Sequence, residues 1–216
     1  MIKGKSFNGK RFEQQEVDDE DFSDCRFIDC NFSWLDLSES RFVDCSFYDR
    51  EHEQGCQLQG CDLREASFLR CDLTLADLSR SQCLGLEMRD CQAMGINFAN
   101  ASFANQITRK SYFCEAHLTG NNFSYGNFEG CLLEQCELGG NRWQGANLLG
   151  ASLAGSDLGG SAFGQIDWTS FNLQGCDLRQ CDLPGLDLRR VNLEGVKISE
   201  EQQQGLLEQI GLIVFP

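Results

Sequence analysis

A large apolar residue recurs every five positions along almost the whole of this 216-residue chain. The register begins at Phe7 and continues, with two interruptions, to Ile198. Residues 61–81, CDLREASFLRCDLTLADLSRS, show it in the central residues Leu63, Phe68, Leu73 and Leu78. A helix repeats every 3.6 residues and a strand every two, so neither element explains a period of five. The period therefore predicts an internal repeat in which short straight segments alternate with turns.

The residue two positions before each centre is usually small, and eleven of the thirteen cysteines occupy this position. Residues two apart face the same side of an extended backbone, so the small residue and the centre point inward together. The residue between them, usually Asp or Asn, points outward, and the remaining two positions turn the chain. Coils of this kind stack through backbone hydrogen bonds about 4.8 Å apart and form a solenoid. The period alone allows three or four sides per coil.

The runs CDLRE, ASFLR, CDLTL, ADLSR and ANLLG resemble the pentapeptide-repeat family. The resemblance implies an all-β solenoid, the right-handed quadrilateral β-helix, over residues 1–198. Four sides of five residues each give about nine coils and a rod roughly 43 Å long.

The first interruption of the repeat lies between Phe47 and Leu58, where the interval is eleven residues instead of five. Six extra residues predict a projecting loop at about 48–55. Insertions on a regular scaffold commonly carry specific function, although tolerated surface decoration is the alternative.

The second interruption lies between Phe103 and Phe113, where Thr108 occupies a central position. The register is kept, and five extra residues predict a second loop at about 104–112. Arg109 and Lys110 give this loop a basic tip.

The repeat ends at Ile198, and residues 199–216 predict a helix and a dimerisation segment. Ser199 and Gln202 match a capping box, and Gly211 predicts the end of the helix after about Ile210. The apolar residues exceed what is needed to cover the end of a solenoid, so we expect them to pair with a second copy; a plain cap is the alternative. The expected dimer residues are Leu206, Leu207, Ile210, Leu212, Ile213, Val214 and Phe215.

Neither a cofactor nor catalysis is predicted. The cysteines recur at intervals of five and ten without a C-x-x-C pair, and His52 and His117 are not placed to complete a zinc site. The outward Asp residues could suggest a polysaccharide-cleaving enzyme, but they recur regularly, whereas an active site needs an irregularity. No apolar stretch suggests a signal segment or a membrane span, so we expect a soluble protein in a reducing cytoplasm.

The formal net charge is −15, which argues against direct binding of nucleic acid through its phosphates. Outward Asp residues are expected to distribute this charge along the rod. A rod of that length and sign could mimic duplex DNA toward a protein with a basic DNA-binding surface. A merely soluble acidic surface is the alternative.

The segments FYDREHEQGC and ITRKSYFC, together with NRWQGANLLGASLAGSDL and DLDLRRVNLEGVKI, resemble the Qnr type of quinolone-resistance pentapeptide-repeat protein. The resemblance implies a non-enzymatic, dimeric rod that binds DNA gyrase and topoisomerase IV and protects them from fluoroquinolones. A pentapeptide-repeat scaffold with an unrelated protein partner is the rival interpretation.

The same resemblance implies which residues contact the partner. The segment YFCEAH matches the group with Glu115 in place of its usual Ser. The implied contact residues are Tyr48, Asp49, Arg50, Glu51, His52, Glu53, Gln106, Ile107, Thr108, Arg109, Lys110, Ser111, Phe113, Cys114 and Ala116.

Overall fold

The computed structural model of the protein describes residues 1–18, 20–109 and 111–214. In these ranges the strands are β1 (Ile2–Lys3), β2 (Ser6–Asn8), β3 (Phe22–Ser23), β4 (Arg26–Ile28), β5 (Arg41–Val43), β6 (Tyr48–Asp49), β7 (Gln54–Gly55), β8 (Ser67–Leu69), β9 (Leu86–Arg89), β10 (Ala104–Thr108), β11 (Ser111–Cys114) and β12 (Ala116–Thr119). A 3₁₀ turn covers Gln14–Glu16, and helix α1 covers Glu200–Gln209.

Four parallel ladders run along the protein and define four faces. Outside the loops, bridged residues are twenty positions apart. Such pairs on faces 1 to 4 are Asp157 with Asp177, Arg142 with Ala162, Asn127 with Asn147, and Leu132 with Ser152. Face 1 also contains the six-stranded parallel sheet β1-β3-β5-β8-β9-β12. The predicted quadrilateral β-helix is therefore confirmed.

The predicted centres form the core. Leu63, Phe68, Leu73 and Leu78 are fully buried. Phe22, Phe42 and Phe68 stack along face 1, with successive ring centroids 5.1 and 4.8 Å apart. Centres on one face thus pack on one another from coil to coil, which buries the large apolar residue that each repeat supplies.

Two central positions hold small residues, Cys83 and Ala93, and both are also fully buried. Three residues after each, a position usually occupied by a small side chain holds Leu86 or Ile96, both fully buried. A side chain at Gly126, on the next coil, would crowd Ile96. The core keeps its volume here because large and small residues exchange positions.

The small positions also supply hydrogen-bond donors. The thiol of Cys61 donates to the carbonyl of Phe32 at 3.0 Å, and that of Cys176 donates to Leu153 at 2.9 Å. Burial raises the pKa of Cys61 to about 12 and that of Cys176 to about 11, so both thiols keep their protons at neutral pH. Cysteine therefore serves here as a small residue that also satisfies a buried carbonyl.

Most corners of the coil have a residue with positive φ two positions after the centre. Gly60 has a φ of +69°, and a methyl group added there would overlap the ring of Trp34, whose own φ is also +69°. Gly130 has the same φ of +69° but no atom within 4 Å of an added methyl group. Substitution of Gly130 therefore tests the backbone conformation alone, whereas substitution of Gly60 tests the same conformation together with a steric clash.

We expect Gly130→Ala to destabilise the protein by about 1 kcal/mol, the cost of a left-handed non-glycine residue. Gly60→Ala should cost a further ~1–3 kcal/mol because the added methyl group displaces the Trp34 ring. Urea unfolding measures both. Combining Gly60→Ala with Trp34→Ala should return the cost to the Gly130→Ala level; a double variant as unstable as Gly60→Ala alone would contradict this explanation.

Helix α1 closes the C-terminal end of the β-helix. The predicted helix and its stop at Gly211, with φ +89°, are confirmed. The Gln202 side chain accepts a hydrogen bond from Ser199 N–H at 2.7 Å and donates to the carbonyls of Leu178 and Cys181, both at 2.9 Å. Gln202 therefore ties the helix to the last complete coil. The predicted centre Ile198 is 40% exposed at this end, so it does not join the closed core.

Candidate partner-binding loops

Loop 1, residues 48–55, is the hairpin formed by β6 and β7. It lies in the corner between faces 2 and 3. The bridged pairs Asn31 with Gln57 and Ser46 with Asp72 are 26 residues apart where uninterrupted coils have 20. Loop 1 therefore adds six residues to its coil.

A single carboxylate organises loop 1. Asp49 is 6% exposed, and its Oδ1 accepts a hydrogen bond from Glu51 N–H at 2.9 Å. Its Oδ2 lies 2.7 Å from His52 Nδ1. Gln54 Nε2 donates to Asp29 Oδ1 at 2.9 Å and joins the loop to the preceding coil. Asp49 thus shapes the loop from inside, whereas Arg50, Glu51, His52 and Glu53 form its exposed tip.

The hydrogen bond between His52 and Asp49 raises the pKa of His52 above 6.5 and lowers the pKa of Asp49 below 3.8. The charged pair is therefore fully formed between these values. The contribution of this ion pair to the free energy of unfolding is lost as pH rises through the raised pKa of His52. It is also lost as pH falls through the lowered pKa of Asp49. The nearby carboxylates of Glu51 and Asp29 add smaller increases to the pKa of His52.

We expect an NMR titration to show His52 losing its proton above pH 6.5. Asp49→Asn should lower that midpoint most of the way to 6.5, since Glu51 and Asp29 remain. Glu51→Gln is the matched control and should move the midpoint less. An unchanged midpoint in Asp49→Asn would contradict the pairing.

Loop 2 is the hairpin of β10 and β11, in the corner between faces 4 and 1. The bridged pairs Gln92 with Asn122 and Asn97 with Asn127 are 30 residues apart, so the insertion has ten residues. The prediction of five was wrong. Because ten is two whole periods, the register of apolar residues passes through the loop unchanged and hides half of its length.

Phe113 was predicted to be both a core centre and a contact residue. It lies in β11, opposite Asn105 in β10, and is 42% exposed. The prediction of a core centre was wrong, because the centre that follows Phe103 on the next face is the fully buried Leu118. Exposure of the ring leaves Phe113 available to a partner.

The tip of loop 2 is exposed and internally hydrogen bonded. The Gln106 side chain donates to the carbonyls of Thr108 and Ser111, and the hydroxyls of Thr108 and Ser111 lie 2.7 Å apart. Ile107 is 65% exposed beside Arg109, which is also exposed. Lys110 lies outside the described residues.

Two other predicted contact residues lie at the base of loop 2. Cys114 is half-buried against the core, and burial raises the pKa of its thiol. Ala116 is 1% exposed and occupies a small inward position in β12. Both support the loop from below, and Ala116 offers no surface to a partner.

Two further residues of this site were missed by sequence reasoning. Tyr112 O–H donates to Glu134 Oε2 at 2.9 Å. Tyr112 belongs to the segment YFCEAH, which could have suggested it. Glu134 occupies an ordinary repeat position, and nothing in the sequence distinguishes it.

The negative charge is concentrated rather than evenly distributed. Face 4 of the first three coils presents Glu16, Asp18, Asp36, Glu39, Asp62 and Glu65. Arg64, on the same face, donates from Nε to Asp62 Oδ1 at 2.8 Å. On face 1, by contrast, Glu87 pairs with Arg89 at 2.6 Å and Asp44 with Arg70 at 2.7 Å. We call this part of face 4 the acidic face; loop 2 emerges at a corner of face 4, two coils beyond it.

The predicted dimer residues form an apolar surface around α1. Leu206 is buried, Leu207, Ile210 and Val214 are half-buried, and Leu212 and Ile213 are 52% and 79% exposed. A groove of about 180 Å³ lies between the helix and the last coil, lined by residues that include Leu188, Leu193 and Ile198. Phe215 lies outside the described residues.

Over the described ranges, no group of three or more His, Cys, Asp or Glu side chains could hold a metal ion. None of the helices described is long and apolar enough to cross a membrane.

The family model for pentapeptide repeats matches residues 11–48, 54–91, 96–135 and 170–200. The fold is also that of QnrB1, described as a plasmid-mediated fluoroquinolone resistance protein, with a TM-score of 0.95 and 42% identity over 97% of this chain and 99% of that one. The chain is a pentapeptide-repeat protein of the Qnr type. The quinolone-resistance pentapeptide-repeat protein QnrB96 of Scandinavium goeteborgense is 44% identical over 53% of each chain.

A second Qnr relative, the pentapeptide-repeat protein QnrB4 of Escherichia coli, is 48% identical over 46% of each chain. The alignments with QnrB96 and QnrB4 thus span about half the length of those relatives. The likeness to the QnrB1 structure, in contrast, covers 97% of this Qnr-type chain.

Proposed function

We propose that this protein binds the bacterial type II topoisomerases, DNA gyrase and topoisomerase IV, and protects them from fluoroquinolones without catalysing a reaction. The observation that carries the proposal is the full-length likeness to QnrB1, a fluoroquinolone resistance protein. The cytoplasm, where these enzymes act on DNA, is the proposed location.

Charge and shape give the proposal a mechanism. The acidic face has the sign of duplex DNA, and it suits the basic surface with which a topoisomerase holds its substrate. Loop 1 and loop 2 present exposed polar, charged and apolar side chains that a DNA duplex does not have. In this mechanism the acidic face steers the encounter, and the loops supply specificity and disfavour the drug-bound state.

The direct test is supercoiling of relaxed plasmid by gyrase under ciprofloxacin, with this protein titrated from nanomolar to micromolar. We expect supercoiling to recover in a protein-dependent manner. A drug-free arm measures any inhibition by the protein itself, and heat-unfolded protein is the control. Unchanged drug inhibition at micromolar protein would refute the proposal.

The regular scaffold also supports the rival function, a pentapeptide-repeat protein with an unrelated partner. A gyrase pull-down at low and high salt distinguishes the two. Specific binding through the acidic face should weaken as salt rises. Failure to retain gyrase even at low salt would favour the rival.

We propose that the protein forms a homodimer through its C-terminal apolar surface. Leu212 and Ile213 are more exposed than a monomer in water favours. We expect light scattering to give twice the 24.2 kDa mass of one chain, and Leu212→Glu with Ile213→Glu to restore the mass of one chain. Leu149→Glu, at a residue 56% exposed on face 3, is the control and should leave the mass unchanged.

A further inference from the structure

Loop 2 is a hairpin that meets the rod at one corner only, so its direction depends on side chains that join it to a neighbouring coil. Its ladder pairs β10 with β11 and with no strand of the rod. At the base, Glu115 N–H donates to the Phe103 carbonyl at 3.1 Å. That bond closes the insertion but does not fix the angle at which the hairpin projects.

A side chain of the rod reaches the hairpin above this base. Glu134 follows the face-4 centre Leu133 on the coil after the insertion. Its Oε2 accepts the hydrogen bond from Tyr112 O–H at 2.9 Å, across 22 residues of sequence. Its Oε1 accepts a hydrogen bond from Ser152 Oγ, on the next coil, at 2.5 Å.

The two hydrogen bonds form a continuous link from Ser152 through Glu134 to Tyr112. Ser152 is only 8% exposed and belongs to the regular ladder of face 4, so it fixes the Glu134 carboxylate in place. The carboxylate then holds the phenol of Tyr112 through a hydrogen bond to a charged acceptor, which is stronger than a neutral one. The same bond raises the pKa of Tyr112, so the phenol remains a donor at neutral pH.

We propose that Glu134 is the positioning residue of loop 2: through Tyr112 it fixes the direction in which the hairpin presents Ile107, Arg109 and Phe113 to the partner. The inference rests on the proposed function for its consequence, but the geometry of the loop can be measured without a topoisomerase. Glu134 makes no contact with the partner in this scheme. It acts by limiting the orientations of the hairpin before binding, which reduces the entropy lost on association.

The test uses the variants Tyr112→Phe, Glu134→Ala and Glu134→Gln in the full-length protein. Matched controls are Tyr125→Phe, at a tyrosine 64% exposed, and Glu194→Ala, at an exposed glutamate that also follows a face-4 centre. Hydrogen exchange of the β10 and β11 amides and the rate of trypsin cleavage within the loop measure hairpin order. The protein concentration that restores half of gyrase supercoiling under ciprofloxacin measures protection.

We expect Tyr112→Phe and Glu134→Ala each to accelerate cleavage and raise the half-protective concentration by about threefold to tenfold, the range for loss of one such hydrogen bond. Glu134→Gln keeps an acceptor and should recover part of the loss. The Tyr112→Phe/Glu134→Ala double variant should be no worse than Glu134→Ala, because both changes remove the same bond. The controls should match the wild type.

The outcomes separate the two proposals. Cleavage and exchange unchanged in both Tyr112→Phe and Glu134→Ala would overturn the positioning role, whatever happens to gyrase. A loosened hairpin with unaltered protection would also overturn it, since orientation would then not matter. A hairpin that loosens as expected, in a protein whose wild type gives no protection, would overturn the proposed function and leave the structural bond established.

Discussion

Deletion of Gln106–Ser111 is expected to abolish protection of gyrase while the β-helix stays folded. The described residues of this range form the tip of loop 2, and no ladder between coils includes them. The bond from Glu115 N–H to the Phe103 carbonyl remains to close the insertion. The deletion therefore removes the exposed contacts and leaves the core unchanged.

Supercoiling under ciprofloxacin and thermal unfolding are measured on the same preparation. We expect at least a hundredfold loss of protection, since several contacts near the centre of an interface contribute more than 2.7 kcal/mol together. Replacement of the six residues by a Gly-Ser segment of equal length is the control for loop length and should also fail to protect. A folded deletion variant that protects normally would refute the role of loop 2.

Phe27→Ala is expected to produce the largest loss of stability among single core substitutions. The Phe27 ring is fully buried and packs against six other rings, those of Phe7, Phe12, Phe22, Phe32, Phe42 and Phe47, with centroids 4.8 to 6.4 Å away. Truncation leaves a cavity that rigid neighbouring coils cannot fill. We expect the free energy of unfolding to fall by about 3–5 kcal/mol.

Phe113→Ala is the informative comparison, because the sequence register gives both phenylalanines the same status. The ring of Phe113 is 42% exposed in loop 2, so its removal should cost less than about 1 kcal/mol of stability. Urea unfolding distinguishes the two positions. Equal losses would show that Phe113 belongs to the core after all.

The sequence predicts the fold well because the period constrains every coil in the same way. A centre such as Leu63 is inward in one repeat for the same steric reason as in all others, and the six-residue insertion at loop 1 breaks the register visibly. The ten-residue insertion at loop 2 does not, since two whole periods restore the pattern. Phe113 therefore falls on the five-residue register, but its side chain does not lie in the core.

The candidate site was less predictable because its key contacts join distant coils. Glu134 and Tyr112 are 22 residues apart, and their contact depends on the angle of a hairpin, which the repeat does not encode. Asp49 was identified as a loop residue, yet its burial and its bonds to Glu51 and His52 give it an internal role. An even distribution of charge was expected from the repeated Asp, but Asn at many outward positions and neighbouring Arg residues leave a dense group of carboxylates on face 4 of the first three coils.

The positions of the two insertions restrict the shape of any partner. Loop 1 leaves the rod between faces 2 and 3, and loop 2 leaves it between faces 4 and 1, about two and a half coils further along. These corners are diagonally opposite in a four-sided coil. A flat surface that touches one loop of a protomer is therefore turned away from the other. A partner that contacts both must enclose the rod in a cleft or a gate, and a single exposed patch would engage only one loop at a time.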